Sequence, residues 1–161
     1  IIQGSLDSGA FDKFVLSDGM YGESLTKRFG KDLNKSFGSR PGSMSKGANI
    51  FTDYAKNAGI DSAGPFTGQS YDAAALIVLS MQAGGKADRD TVQKNVMSVA
   101  HAPGTKIYPG ELKKALDLLA KGKAVNYEGA TDVELTDAGE ANGSFLEFEV
   151  KGGKFVDVKQ R

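Results

Sequence analysis

The sequence predicts an α/β fold, and three observations carry that prediction. Near the start, Phe14-Val15-Leu16 is a continuous apolar run closed by Ser17-Asp18-Gly19, the pattern of a parallel strand covered on both faces. Through the middle of the chain, apolar residues recur three and four apart, the period of an amphipathic helix. Toward the end, Ser144 to Val150 and Lys154 to Val158 alternate or favour β-formers around Gly152-Gly153, which is hairpin language. Strands at both ends and helices between them define the class.

Taken in order, Asp12 to Gly19 reads as the first strand. Glu23 to Leu33 follows as a helix with Leu25, Phe29 and Leu33 on its apolar stripe. Ser36 to Gly47 is Gly/Ser/Pro-rich and reads as a loop or crossing segment. Asn49 to Ala58 is a helix using Ile50, Phe51, Tyr54 and Ala58. The turn Gly64-Pro65-Phe66 then feeds a helix from Ser70 to Ala83. Its first turn is polar and its body, Ala73 through Met81, is apolar on every face, which requires burial. Gly84-Gly85 ends it. Asp88 can cap the next helix, with Val92, Val96 and Val99 inward. Pro109 stands near the start of another, built on Leu112, Ala115, Leu116 and Leu119 and stopped at Lys121-Gly122-Lys123. Val133-Glu134-Leu135 reads as a strand ahead of the final pair.

Composition excludes several classes. A length of 161 residues suits one domain or pieces of two. Twenty basic residues balance 20 acidic ones, so no charge surplus favours nucleic acid or an anionic membrane. No apolar run reaches membrane-spanning length. The absence of cysteine removes disulfides, thiolate metal sites and a cysteine nucleophile. The single histidine, His101, has no nucleophile motif beside it and reads as a loop or structural residue. Only all-oxygen metal sites remain, and Asp137 to Gly143 lacks the spacing of a calcium loop. No phosphate-binding glycine motif is present. Neither an enzyme nor a cofactor or metal is expected.

What remains is binding. Asp18 stands where a strand ends and Gly19 permits a sharp turn. A carboxylate at the carboxyl end of a parallel strand lies where α/β sheets bind ligands, although a turn-capping aspartate fits the same position. The helix at Ser70 likewise opens with hydroxyls, an aromatic ring and the Asp72 carboxylate, a polar end suited to a ligand cleft.

Phe14-Val15-Leu16-Ser17-Asp18-Gly19, then Gly64-Pro65-Phe66 leading to Ser70-Tyr71-Asp72-Ala73-Ala74, resemble the second half of periplasmic amino-acid-binding proteins of the leucine/isoleucine/valine type. Ile107-Tyr108-Pro109-Gly110-Glu111-Leu112, Asn126-Tyr127-Glu128-Gly129-Ala130 and Gly143-Ser144-Phe145-Leu146-Glu147-Phe148 extend the resemblance over essentially the whole chain. Order and spacing make the match, since no single motif is specific. The resemblance implies the type I periplasmic-binding-protein fold, two doubly wound α/β lobes joined by a hinge, of which this chain supplies a C-terminal portion contributing to both. It places residues 1–44 in the C-terminal lobe, 45–130 in the N-terminal lobe and 131–161 back in the C-terminal lobe. Hinge strands fall near Pro41-Gly42 and Gly129.

The same resemblance implies a ligand-binding set. Asp18 matches the acidic position that receives an amino acid's α-ammonium group, one methylene shorter than the glutamate common there. Phe66 matches an apolar position lining the side-chain pocket, or else packs in the core. Tyr71 and Asp72 contact ligand, or serve as a hinge-packing ring and a first-turn carboxylate favoured by the helix dipole. Tyr21 lines the cleft mouth. The implied function is capture of an amino acid, branched-chain or otherwise apolar, for an ABC importer, in the periplasm, with an inner-membrane ABC permease as partner. A short amide, urea or an aromatic acid is the alternative ligand, and a sensory or regulatory module the alternative role. Family members are roughly twice this length, so the chain is expected to be a fragment that needs an N-terminal half and exposes apolar surface without it.

Overall fold

The computed structural model describes residues 1–64 and 66–161, so Pro65 of the expected Gly64-Pro65-Phe66 turn lies outside the described residues. In chain order the elements are α1 (Ile2–Ser8), β1 (Val15–Leu16), α2 (Glu23–Phe29), β2 (Phe37–Pro41), α3 (Lys46–Asn57), α4 (Thr67–Gly84), α5 (Arg89–Ala100), β3 (Thr105–Ile107), α6 (Leu112–Leu119), β4 (Val125–Tyr127), β5 (Phe145–Lys151) and β6 (Lys154–Gln160). The chain divides into two units: Ile1–Gly42 with Ser144–Arg161, and Ser43–Gly143.

The first unit is a four-stranded sheet in the order β1-β2-β5-β6. β1 and β2 are parallel, and the remaining pairs are antiparallel. Strand alternation buries Leu146, Phe148 and Val150 of β5 on one face, where Phe148 and Val150 meet Leu16, Ile2 and Leu33 in a buried core. Leu6 of α1 and Leu25 and Phe29 of α2 pack onto the same core. The opposite face stays open. Val15, Phe37, Glu149 and Val156 lie in one cross-strand register there, with Val15 75% and Val156 40% exposed. The expectation of a first strand covered on both faces therefore holds for Leu16 and fails for Val15.

Two local readings are corrected by the same packing. Ser36 to Gly47, expected as a loop or crossing segment, contains β2. Its Gly/Ser/Pro composition lacks β propensity, but partners on both edges supply the ladder bonds that propensity does not. Gly38 is required there by space. A Cβ at that position would fall far inside contact with the Leu16 carbonyl oxygen and 2.6 Å from Phe148 Cζ. The helix expected through Leu33 ends at Phe29, and Gly30–Leu33 continues as a 3-10 turn that still delivers Leu33 to the core.

The second unit packs helices around a parallel pair, β3 and β4, in the register Ile107↔Tyr127. Ala75, Leu79, Val99, Ile107, Ala115, Val125 and Tyr127 form its buried core. Asp88 caps α5 as expected, its Oδ1 accepting from the Thr91 amide at 2.8 Å. α4 departs from expectation. One face, with Asp72, Ala75, Leu79 and Ser80, is buried, while Ile77 and Val78 on the other are 45% and 42% exposed. The helix is apolar all round, but the described chain covers only one side of it. Among the described residues no helix is long and apolar enough to cross a membrane.

Residues 131–143 also pack with this unit. The Val133 amide donates to the Glu128 carbonyl at 2.9 Å, and the Leu135 amide to His101 Nε2 at 3.2 Å. Val133–Leu135 forms no strand, only an isolated bridge from Leu135 to Ala141. His101 thus has a structural bond to its credit, in keeping with its reading as a loop residue.

The Gly38 contact yields a test. Gly38→Ala should lower the stability of the first unit by about 2 kcal/mol or more, since the new methyl meets fixed backbone rather than a movable side chain. Urea denaturation followed at a β5 probe would read this; a midpoint equal to that of the unaltered chain would contradict it.

Candidate functional site

Candidate residues of both units lie near the exits of parallel strands: Asp18 follows β1, and Tyr71 and Asp72 bond to groups that follow β3 and β4. In the first, β1 ends at Leu16 and the chain turns through the 3-10 segment Asp18–Met20. The Gly19 amide donates to Asp18 Oδ1 at 2.7 Å, and the Tyr21 amide to the Asp18 carbonyl at 2.9 Å. Asp18 is half-buried, and its Oδ2 has no hydrogen-bond donor recorded within the described residues, so the turn holds the carboxylate without consuming it.

Tyr21 leaves that turn into an aromatic cluster. Its ring stacks on Phe155 at 4.6 Å between centroids and meets Phe148 edge-on at 4.9 Å. On its other side the Arg40 guanidinium lies 4.4 Å from the ring centroid. Arg40 Nη2 donates to Asp157 Oδ2 at 2.8 Å, with side chains 18% and 27% exposed. Burial pushes the Tyr21 hydroxyl above its ordinary range, and the Arg40 charge offsets part of the rise. Arg40 and Asp157 were not legible as a pair, because 117 positions separate them. The available signal was a carboxylate inside the apolar run Phe155-Val156-Asp157-Val158.

In the second unit, Phe66, Tyr71 and Asp72 cluster at the start of α4. Phe66 is the residue before the helix and adopts the left-handed conformation, φ 60° and ψ 13°. For a non-glycine residue this costs about 1 kcal/mol or more, and the ring is 46% exposed. Tyr71 packs against Phe51 and Tyr54 of α3 with centroids 5.2 and 5.9 Å away. Its hydroxyl oxygen accepts from the Gly110 amide at 2.9 Å. Burial raises the Tyr71 pKa, and that amide works against the rise.

Asp72 is 3% exposed and fully engaged. Oδ1 accepts from the Tyr127 hydroxyl at 2.8 Å and the Ala130 amide at 2.8 Å. Oδ2 accepts from the Thr131 amide at 2.9 Å and the Thr131 hydroxyl at 2.7 Å. Gly129, with φ 61°, makes room for this: a Cβ there would strike Asp72 Oδ1 and lie 2.6 Å from Tyr127 Cε1. Burial raises the Asp72 pKa, and the four donors oppose the rise without cancelling it. All four donor sites belong to this chain, so the carboxylate is committed to joining α4 to the exit of β4.

Among the described residues a surface groove is lined by Lys13, Lys35, Phe37, Glu147 and Glu149. None of these is among the predicted ligand residues.

Comparison with known proteins follows the same lines. No family model matches the chain. Over 83 residues, 51% of its length, it is 37% identical to the chemotactic signal transduction system substrate-binding protein BasB of Halobacterium salinarum, of which the match covers 20%. Its fold aligns with the leucine binding protein LivK of Thermotoga maritima with a TM-score of 0.68 over 99% of this chain and 40% of that one, at 14% identity. The architecture is thus part of the type I periplasmic-binding-protein fold, and both comparisons bear out the resemblance read in the sequence. Both relatives carry names of binding proteins. The chain spans well under two thirds of either one.

The Asp72 cluster sets a pH dependence. Its folded pKa lies above the ordinary value near 4, so the native state keeps a proton that the unfolded chain has already released. Its contribution is full below the unfolded value and falls as pH rises through the folded one. Asp72→Asn should remove that slope. It should also destabilise the second unit by about 2–3 kcal/mol at neutral pH, because an amide nitrogen would face a backbone donor. Urea unfolding of both proteins from pH 3 to 8 measures this, and parallel stability curves would contradict it.

Proposed function

We propose that the protein is a solute-binding component whose ligand is an amino acid, branched-chain or otherwise apolar. The observation that carries this reading is the Asp18 turn. A half-buried carboxylate, held by its own backbone at the carboxyl end of a parallel strand, retains acceptor capacity beside an aromatic ring. An α-ammonium group leaving water needs such a partner, since burying it unpaired costs several kcal/mol. Tyr21 borders that position. Phe66 and Tyr71, one strained and exposed and the other anchored through Gly110, are also proposed as ligand contacts, one apolar and one aromatic. Asp72 is proposed to act on the ligand only through the backbone it fixes. The likeness of the fold to a leucine binding protein supports the ligand class.

Delivery to an ABC permease at the inner membrane, a periplasmic location, capture by lobe closure and a longer polypeptide as the working form belong to the same proposal. So does the assignment of the first unit to the C-terminal lobe and the second to the N-terminal lobe. A second reading is favoured by the match to BasB, whose name places it in chemotactic signalling. In that reading the same solute capture reports to a receptor rather than to a permease.

Thermal melting of the full-length protein against Leu, Ile, Val, short amides, urea and aromatic acids tests the reading. A ligand that binds only the folded state adds about 2.7 kcal/mol at a hundredfold excess over its dissociation constant. Leu, Ile or Val should raise the melting temperature, and Asp18→Asn should abolish the rise. Stabilisation by another solute alone would overturn the amino-acid assignment, and no response to any of them would overturn solute capture.

A further inference from the structure

We infer that Arg40, held in place by Asp157, is a positioning residue for ammonium recognition: it sets the Asp18–Tyr21 turn without itself meeting the ligand. This rests on the solute-binding reading above. Asp18–Met20 is a single 3-10 turn with no side-chain cap, closed by backbone bonds from Met20 to Ser17 and from Tyr21 to Asp18. Such a short element has little intrinsic stability, so its geometry must be imposed by packing. Tyr21 is the residue through which packing reaches it. The ring is clamped between Phe155, stacked at 26°, and the Arg40 guanidinium 4.4 Å from its centroid.

Arg40 is in turn fixed from a third strand. β2 carries Arg40 opposite Leu146 of β5, and Asp157 of β6 reaches it at 2.8 Å. The pair is mostly buried, and Arg40 Nε and Asp157 Oδ1 make no hydrogen bond within the described residues. Arg40 therefore has two anchors, one carboxylate oxygen and one aromatic face. A largely desolvated guanidinium over a tyrosine ring is a favourable electrostatic contact, stronger than the same pair in water. Such a contact decides whether a one-turn segment stays in a single geometry. The chain of contact runs from Asp157 to Arg40, from Arg40 to the Tyr21 ring, and from the Tyr21 amide to the Asp18 carbonyl. Arg40 also stands two positions before the unit boundary at Gly42, so it belongs to the strand that leads out of this unit.

The test has two arms, both in the full-length protein. In the first, amide exchange is followed by NMR at Tyr21 and at Val150, whose amide donates to the Ser36 carbonyl within the same unit. Arg40→Met should accelerate exchange at Tyr21 by about tenfold, the equivalent of one such contact, and leave Val150 unchanged. Asp157→Asn should move the same amide in the same direction, and Arg40→Lys should recover part of the loss. Equal acceleration at both amides, or none at Tyr21, overturns the positioning role. In the second arm, calorimetry compares L-leucine with 4-methylpentanoic acid, which lacks the ammonium group. Arg40→Met should reduce the preference for leucine by about tenfold; equal weakening of both ligands overturns the link to ammonium recognition. If leucine fails to bind the unaltered protein, leucine recognition falls and takes this second link with it, while the exchange arm still decides the positioning role.

Discussion

One buried carboxylate organises the second unit. Asp72 gathers the Tyr127 hydroxyl, two consecutive backbone amides and the Thr131 hydroxyl onto its two oxygens. The first turn of α4 is thereby tied to the exit of β4. Two of those bonds satisfy backbone amides and two satisfy side-chain hydroxyls, and a buried donor left without a partner costs about 1–3 kcal/mol. The raised pKa records the opposing cost of desolvating the charge. The balance favours geometric definition over raw stability. Gly129 has no Cβ to obstruct the approach, Tyr127 is fully buried, and Phe51, Ala55 and Ala130 pack alongside with Tyr71.

The first unit reaches the same end by different means. Its strand exits are short and lack a buried carboxylate. Order at Asp18 comes instead from an aromatic stack and a guanidinium anchored across the sheet. In both units the strand ends carry the polar groups, because strand backbone is spent on the ladder and only the turns have amides and side chains to offer. The contrast is chemical: four hydrogen bonds hold the carboxylate in one unit, and ring packing holds the turn in the other.

Apolar surface is left open in each unit. Val15, Phe37 and Val156 share the uncovered face of the first sheet, and Ile77 and Val78 line the outer side of α4. The chain covers 40% of the LivK chain whose fold it matches. Such surface is what a doubly wound architecture shows when the described elements cover only one side of a sheet or helix.

Local pattern was enough for much of this. The period of Leu112, Ala115, Leu116 and Leu119, the cap at Asp88 and the alternation of Leu146, Phe148 and Val150 each follow from a few neighbouring residues, so they could be read directly. The placement of Asp18 at a strand end was legible for the same reason. Where readings failed, the deciding forces lay far away in sequence. β2 is a strand because β1 and β5 flank it and Phe148 needs the space at Gly38. α4 is half exposed because coverage depends on what packs against a helix and not on its own composition. The fate of Asp72 turned on Tyr127, Ala130 and Thr131, more than fifty positions away, and that of Tyr21 on Arg40, Phe155 and Asp157. By itself the sequence determined the α/β class, most helices and the carboxylates Asp18 and Asp72 that stand at element ends. Tertiary structure decided which of those carboxylates is consumed by the fold and which keeps acceptor capacity, because hydrogen bonds and burial between distant segments leave no local periodic trace.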